Sequence, residues 1–277
     1  VPYDIEKESV SKTIEYSFDD WCIAQMAERM GKRDIADEFA KRATFYRNLY
    51  NPETGFLQAR DSKGSFIKNF KPGEYTEHIT ESNTWQYLFG AHHDIMWMQE
   101  RMGEELFLNR LNDLFSLSVS DDLPIFSTGM IGEYAHGNEP CHHVTYVYNH
   151  IGKPWLTQKY VTKVMHELYN DTPSGLCGNE DCGQMSAWYV FSAMGFYPMN
   201  PASQIYEIGS PIVKSAKINL SNGKCFTIFA PEVSKENIYV QNILLNGEPY
   251  NLNYITHQQI MDGVTVTFEM GNTPKEK

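Results

Sequence analysis

Residues 9–31 read SVSKTIEYSFDDWCIAQMAERMG, and their apolar side chains recur at spacings of mainly three to four. That period is typical of a helix with one buried face, and Gly31 supplies a signal for its C-terminal end. We therefore predict a helix that ends near Met30. The same period predicts further helices at 34–50, 84–102, 104–118, 142–151, 155–170 and 183–195.

The period of the apolar side chains falls to two after residue 203. Segments such as Ala216–Leu220 and Val264–Phe268 alternate or are rich in β-branched residues, and turn signals such as Asn246-Gly247 separate them. The sequence thus predicts a mainly α chain followed by β, with a helical part at 1–202 and a small antiparallel β segment at 203–277.

Charge and composition exclude several classes of protein. The 277 residues include 35 Asp and Glu against 23 Lys and Arg, a formal net charge of −12. Such an acidic surface repels phosphate backbones, so nucleic acid is excluded as a partner. No stretch approaches about 18 uninterrupted apolar residues, so no membrane span is predicted. The five cysteines are odd in number and lack CxxC spacing, which argues against a disulfide framework or a zinc ribbon.

The links between the predicted helices are long and polar, as loops that carry a site usually are. The first notable one, residues 77–87, reads EHITESNTWQY. Its aromatic rings would reduce the solvation of a carboxylate at Glu81 and favour the protonated form that a general acid needs. The alternative is a capping arrangement in which Ser82 or Glu81 satisfies free amides at a helix start. Spacing alone favours the alternative.

The second segment, residues 136–143, reads HGNEPCHH. Three histidines and one glutamate within eight residues indicate a metal or a dense array of hydrogen bonds. The spacing is unconvincing for zinc, whereas the side-chain oxygens of Asn138 and Glu139 would suit calcium better. A polar loop ordered by its own hydrogen bonds explains the pattern equally well.

The third segment, residues 175–188, reads GLCGNEDCGQMSAW and places two carboxylates between glycines at a predicted helix start. The helix dipole would keep Asp181 ionised, as a general base requires, although Asp181 could equally be an N-cap. Together, Glu81 and Asp181 match the two-carboxylate pattern of glycoside hydrolysis. Inverting enzymes of this kind hold the two carboxyl groups roughly 6.5–9.5 Å apart.

Several strings of this sequence resemble family 92 glycoside hydrolases, and they occur in order from about residue 8 to residue 270. The GNEDCGQMSAW run at 178–188 is very specific to that family. The other strings are EYSFDDW at 15–21, ESNTWQY at 81–87, GNEP through His143, GKPW at 152–155, GFYP at 195–198 and IGSP at 208–211. The resemblance implies a calcium-dependent, inverting exo-α-mannosidase, many of whose relatives are α-1,2-specific and come from Bacteroides-type bacteria. It also implies a role in degrading mannose-containing oligosaccharides such as N-glycans, outside the cytoplasm.

The resemblance also implies roles for single residues. Glu81 aligns with the general acid and Asp181 with the general base that activates water, with Asn179 or Glu180 beside it as helper or second carboxylate. Other residues align with the mannose-binding part of the site: Asn83, Trp85, His136, Asn138, Glu139, His142 and His143. Of these, Asn138 and Glu139 are the implied calcium ligands. Glu77 is a nearby competitor for the acid role.

The family's enzymes are far longer than 277 residues, and they join an N-terminal β-sandwich to an (α/α)6 barrel. The resemblance therefore implies a partial (α/α)6 toroid with a closing β unit, whose partner is the missing N-terminal region of the same protein. The start at Val1, without Met, agrees with a mature or truncated chain. The alternative function is that of a non-catalytic carbohydrate-binding or structural fragment, inactive without that region.

Overall fold

The computed structural model describes residues 1–119 and 123–276, and the chain forms two compact units, Val1–Cys141 and His142–Lys277. No helix among the described residues is both long enough and apolar enough to cross a membrane. The predicted division into a part at 1–202 and a part at 203–277 stays a prediction. Residues 120–122 and 277 of these parts lie outside the described residues.

The first unit is built mainly from helices. Its elements are α1 (Ser9–Arg29), α2 (Arg33–Arg42), β1 (Tyr50–Asn51), β2 (Phe56–Leu57), α3 (Thr84–Tyr87), α4 (Ile95–Met102) and α5 (Glu104–Leu114). Short 3₁₀ helices lie at Phe45–Leu49, Ile125–Ser127 and Glu139–Cys141. The first helix confirms the prediction made from the period of residues 9–31.

Helices α1 and α2 pack against each other, and an ion pair reinforces the contact. Val10 and Ile14 of α1 are buried, while Asp20 accepts from Arg42 at 3.0 Å. The core of the unit includes Leu57 and Phe107, both fully buried. Each buried side chain of this size stabilises the fold by about 1.5–3 kcal/mol. Burial of the helix faces therefore holds this unit together.

Two helix predictions in this unit are wrong in their bounds. The helix predicted at 84–102 is divided into α3 and α4, because Gly90 and Asp94 take part in tertiary contacts that a continuous helix would not allow. A Cβ atom at Gly90 would lie 3.1 Å from Ile14, and the Asp94 carboxylate accepts from Tyr46 and Arg47, both at 2.8 Å. The helix predicted at 34–50 likewise ends at Arg42 and continues as a 3₁₀ turn.

The second unit places helices before sheets. Its elements are a 3₁₀ helix (Val144–Ile151), α6 (Pro154–Glu167), α7 (Gln184–Met194), β3 (Phe196–Tyr197), a 3₁₀ turn (Pro201–Ser203), β4 (Ile205–Ile208), β5 (Ser215–Asn219), β6 (Cys225–Phe229), β7 (Tyr239–Leu245), β8 (Glu248–Pro249), β9 (Tyr254–Thr256), α8 (His257–Asp262) and β10 (Thr265–Gly271). The helix predicted at 142–151 is present as a 3₁₀ helix over Val144–Ile151, which is wound more tightly than an α-helix.

The strands form a three-stranded sheet in the order β3-β4-β9 and a five-stranded sheet in the order β5-β6-β10-β7-β8. The prediction of a purely antiparallel unit is wrong, because β10 runs parallel to β6, with Val266 opposite Ile228. The chain passes through α8 before β10, and this crossover allows the parallel pairing. Phe196, Phe226 and Phe268 are fully buried between these elements.

Candidate functional site

The Glu81 segment lies in the first unit, just before α3. Its side chain is exposed and its backbone is left-handed, with φ of 50°. Few residues with a side chain adopt this conformation, and those that do cluster at functional sites. The amide of Asn138 donates to the Glu81 carbonyl oxygen at 3.0 Å. Asn138 therefore links residues 136–141 to the backbone of the candidate acid within the first unit.

The start of α3 is capped by Asn83, and the alternative in which Ser82 or Glu81 provides the cap is wrong. The Asn83 side-chain oxygen accepts from the Gln86 amide nitrogen at 3.2 Å, and the Gln86 side chain accepts from the Asn83 backbone at 3.3 Å. These reciprocal bonds form a capping box. Because the cap comes from Asn83, the Glu81 carboxylate is not engaged at the helix end.

In the part of the first unit that the structure describes, the rings of Trp85 and Tyr87 do not enclose the exposed Glu81 side chain. Trp85 is buried and packs edge-on against Phe56, with ring centroids 4.8 Å apart. The Tyr87 hydroxyl donates to Glu15 at 3.2 Å instead of approaching Glu81. Trp85 therefore belongs to the core of the first unit, while its predicted role in binding sugar stays a prediction.

A carboxylate that the sequence did not single out lies behind this segment. Glu133 is 5% exposed, and its Oε2 accepts from Asn83 Nδ2 at 2.9 Å. Burial raises the pKa of the Glu133 carboxyl, and the hydrogen bond from Asn83 works in the opposite direction. Fifty positions separate the two residues, so no local pattern could have identified this pair. The competitor Glu77 is exposed and pairs with Lys7 at 3.3 Å.

His136, Asn138 and Cys141 of the 136–141 segment are buried, and the other three residues are partly exposed. His136 is fully buried, and its Nδ1 lies 2.7 Å from the Tyr134 hydroxyl. The Asn138 side-chain oxygen accepts from the backbone of Glu139 at 3.2 Å. Part of the hydrogen-bonding capacity of this loop is thus used within the loop, as one of the two sequence interpretations expected.

His142 and His143 belong to the second unit and are buried there. The His142 ring Nδ1 lies 3.1 Å from the side-chain nitrogen of Gln184, the first residue of α7. The His142 carbonyl accepts from the Trp188 indole at 2.9 Å. His142 is therefore connected to the helix that follows the Asp181 loop.

The Asp181 loop has an unusual backbone. Asp181, Cys182 and Gly183 are all left-handed, with φ of 45°, 56° and 94°. Asp181 is exposed, and no described residue donates a hydrogen bond to its carboxylate. Its side chain does not cap α7, so the N-cap alternative is wrong. A free carboxylate on a constrained loop is what a general base requires.

Glu180 binds the first turn of α7 in place of Asp181. Its two carboxylate oxygens accept from the backbone nitrogen of Ser186 at 3.0 Å and from the Ser186 hydroxyl at 2.7 Å. These bonds lower the pKa of Glu180, with the backbone bond making the larger contribution. Asn179 is exposed on the same loop. The adjacent carboxylates thus differ in environment, since Glu180 is bound to the helix and Asp181 is not.

A cavity of about 500 Å³ adjoins this loop within the second unit. Tyr169 and Tyr189 line it, with ring centroids 4.8 Å apart, together with Asp171, Glu180 and Val190. Aromatic rings beside carboxylates provide apolar faces and hydrogen-bond acceptors, the two features that a sugar ring can use.

The two implied calcium ligands, Asn138 and Glu139, are too few by themselves to enclose the ion. Calcium takes about six to eight oxygen ligands. Asn138 and Glu139 supply few, and the Asn138 oxygen already accepts a backbone hydrogen bond. Among residues 1–119 and 123–276, no three His, Cys, Asp or Glu side chains converge as a metal site.

Comparison with known proteins points to one family. The sequence model of the glycosyl hydrolase family 92 catalytic domain matches residues 1–272. A family GH92 α-mannosidase from Bacteroides thetaiotaomicron is 45% identical, with a TM-score of 0.96, over 100% of this chain and 37% of that chain. The same enzyme in complex with mannoimidazole matches with 43% identity, a TM-score of 0.95 and coverage of 100% and 38%.

Two further relatives agree with these matches. A family GH92 inverting mannosidase from Bacteroides thetaiotaomicron VPI-5482 is 40% identical, with a TM-score of 0.91, over 100% of this chain and 39% of that chain. An uncharacterized secreted glycosidase from Arthroderma benhamiae is 27% identical over 296 residues, which cover 96% of this chain and 36% of the relative. This chain therefore spans well under half the length of each relative.

Proposed function

The chain belongs to glycosyl hydrolase family 92, and on that premise we propose that it is part of an inverting exo-α-mannosidase that removes terminal α-1,2-linked mannose from glycans. The observation that carries the assignment of the site is the backbone of the two candidate carboxylates. Glu81 and Asp181 are both left-handed and both exposed. Such strain costs about 1–3 kcal/mol and persists where the surrounding structure, and usually function, requires it.

In the proposed reaction, Glu81 gives its proton to the glycosidic oxygen as the bond to the anomeric carbon breaks. Asp181 takes a proton from a water molecule, whose oxygen attacks the anomeric carbon from the opposite face and inverts its configuration. The water is consumed, and the products are mannose and the shortened glycan. The exposed carboxylate of Asp181 supports the base role, because its oxygens are not engaged by a hydrogen-bond donor among the described residues and can accept a proton from water.

We assign the neighbouring residues supporting roles in the same reaction. Asn179 and Glu180 shape the Asp181 loop, and the bonds from Ser186 to Glu180 support a positioning role for that carboxylate. The mannose-binding part would comprise Asn83, Trp85, His136, Asn138, Glu139, His142 and His143. Calcium binding at Asn138 and Glu139 would need oxygen ligands from outside the set seen here.

The remainder of the active domain would come from an N-terminal region. The chain spans 37% of its 45%-identical relative, so the rest of an (α/α)6 toroid and a β-sandwich are proposed partners. Helix α1 supports this proposal, because Tyr16, Ile23, Met26 and Met30 are 42–62% exposed at helical spacing. An apolar stripe of this kind is typical of a helix that packs against another. The secreted relative supports a location outside the cytoplasm.

The alternative is a fragment that binds carbohydrate without turning it over. The cavity beside Tyr169 and Tyr189 favours it, since that cavity lies within one unit and needs no further residues. Binding of mannose that Tyr189→Ala abolishes, without turnover in any longer form, would support this alternative.

The test compares mannose release from α-1,2-mannobiose by this chain and by a longer polypeptide that includes the N-terminal region. Each is assayed with and without a calcium chelator. We expect chelator-sensitive release by the longer polypeptide and little or none by this chain. Absence of release by either one, on any mannobiose linkage, would contradict the enzymatic assignment.

A further inference from the structure

We propose that Glu133 is a positioning residue for the candidate acid: its carboxylate holds Asn83, and through Asn83 it fixes the turn that carries Glu81. This inference rests on the proposed role of Glu81 as general acid. Glu133 lies outside the segments that the sequence singled out, and it does not contact the substrate in the mechanism above.

Three hydrogen bonds join Glu133 and its neighbourhood to the turn. Glu133 Oε2 accepts from Asn83 Nδ2 at 2.9 Å, and the Glu133 carbonyl accepts from Gln86 Nε2 at 3.1 Å. Gln86 Nε2 also donates to the carbonyl of Ser127 at 2.7 Å. Asn83 and Gln86 form the capping box of α3. Both residues of the box are therefore hydrogen-bonded to Glu133, Asn83 through the carboxylate and Gln86 through the backbone carbonyl.

The position of Glu133 is itself fixed. Its backbone nitrogen donates to the carbonyl of Leu114, at the end of α5, at 2.7 Å. A Cβ atom at Gly73 would lie 3.3 Å from Glu133 Oε1, so the backbone of residue 73 closes off the other side of the carboxylate. The carboxylate therefore has little freedom to move away from Asn83.

The Glu133 carboxylate forms no ion pair in the part of the chain that the structure describes. No Lys, Arg or His among the described residues lies within ion-pair distance of it. A buried carboxylate held by one amide is an unfavourable choice for stability alone, because burial of an unpaired charge opposes folding. What the carboxylate supplies is a strong, well-directed acceptor for Asn83.

Asn83 is close enough to Glu81 in the chain for a change in its position to move the Glu81 backbone. Ser82 alone separates Asn83 from Glu81, whose left-handed backbone is secured on its other side by Asn138. A displacement of about 1 Å at a catalytic group can cost about 100-fold in rate. Loss of the Glu133 carboxylate should therefore misplace the acid without removing it.

The test uses two substrates that differ in their need for an acid. In the longer polypeptide, Glu133→Leu should lower kcat on α-1,2-mannobiose about 10–100-fold with little change in KM. Its kcat on 2,4-dinitrophenyl α-mannoside should change little, because that leaving group departs without protonation. Glu133→Gln, which keeps an acceptor oxygen, should behave like the unmodified protein on both substrates.

A reciprocal pair keeps the test decisive if Glu133→Leu fails to fold. Asn83→Asp preserves the cap but sets a carboxylate against Glu133, so kcat on mannobiose should fall selectively with KM little changed, whereas loss of a mannose contact by Asn83 would raise KM on both substrates. In the double variant Asn83→Asp with Glu133→Gln, the amide at position 133 would donate to the carboxylate at position 83. The hydrogen bond is then present with donor and acceptor exchanged, and activity on mannobiose should return. Equal losses on both substrates, or no rescue in the double variant, would reduce Glu133 to a structural residue and overturn the proposal.

The control for the proposed function is Glu81→Gln. It should show the same selectivity for the activated substrate, more strongly than Glu133→Leu. If Glu81→Gln affects both substrates alike, Glu81 is not the acid, and the inference about Glu133 falls with it. If Glu81→Gln is selective and Glu133→Leu is not, only the positioning role is refuted.

Discussion

Replacing Asn138 by alanine should lower both turnover and stability, by comparable free energies. Asn138 Nδ2 donates to the Glu81 carbonyl at 3.0 Å, while Glu81 stands at φ of 50°. The left-handed conformation costs about 1–3 kcal/mol, and losing one partner of a hydrogen bond costs about 1–3 kcal/mol. Because the two magnitudes are comparable, removing the bond should let the backbone leave its strained conformation.

The expected result of Asn138→Ala is a fall in kcat of about 10–100-fold at little changed KM, from misplacement of the acid, whereas loss of a mannose contact by Asn138 would raise KM. The free energy of unfolding should fall by about 1–3 kcal/mol. Initial rates of mannose release from α-1,2-mannobiose by the longer polypeptide give the first quantity, and urea unfolding gives the second.

Asn149→Ala is the matched control. Asn149 is also buried, and its amide donates to the carbonyl of Ile208 at 2.8 Å, within the second unit. It should lose stability as Asn138→Ala does, with kcat unchanged. If Asn138→Ala matches this control in both measurements, the bond to Glu81 is structural only and the reasoning from backbone strain is refuted.

Three further outcomes are expected. Asp181→Asn should lower kcat about 10²–10⁴-fold on mannobiose and on the activated aryl mannoside alike, because both need the base; a preserved rate would remove Asp181 from the reaction. Ser186→Ala removes the hydroxyl bond to Glu180 but keeps the stronger backbone bond, so it should reduce part of the pH dependence of stability in acid, measured by urea unfolding. The bonds from Ser186 lower the pKa of Glu180 from its ordinary value of 4.5, so their contribution is present above that value and lost as the pH falls through the lowered pKa; an unchanged pH profile would contradict this. Trp85→Ala should destabilise the chain by about 3–5 kcal/mol, because it empties a buried ring position against Phe56; a change below 1 kcal/mol would mean that the ring is not a core residue.

Helix α1 could be predicted from the sequence because one buried face leaves a periodic record within 21 residues. The break between α3 and α4 could not, because it depends on Gly90 meeting Ile14 and on Asp94 meeting Tyr46 and Arg47. These partners lie far away in the sequence, and local propensity does not record them. The parallel pairing of β10 with β6 depends on a crossover connection. The alternation of apolar and polar residues is the same in parallel and antiparallel strands, so the sequence pattern could not reveal this pairing.

The sequence motifs identified the candidate carboxylates Glu81 and Asp181. The sequence did not predict the backbone conformation or the hydrogen-bond partners around them. The spacing of Asn83 and Gln86 does contain the capping box, since an N-cap residue followed three positions later by Gln is its sequence pattern. The left-handed backbone of Glu81 and Asp181 left no signal, because residues with side chains can adopt it wherever tertiary bonds hold them. Glu133 was missed for the same reason, since its function depends on a partner 50 positions away.

The most direct test of the central claim is the stereochemistry of the first product. Proton NMR of the longer polypeptide acting on α-1,2-mannobiose, recorded before the sugar mutarotates, shows which anomer of mannose is released. Direct attack by water activated by Asp181, with Glu81 as the acid, predicts β-mannose, and predicts that Glu81→Gln and Asp181→Asn each suppress its release. Release of α-mannose, or unchanged β-mannose release by either variant, would contradict the account.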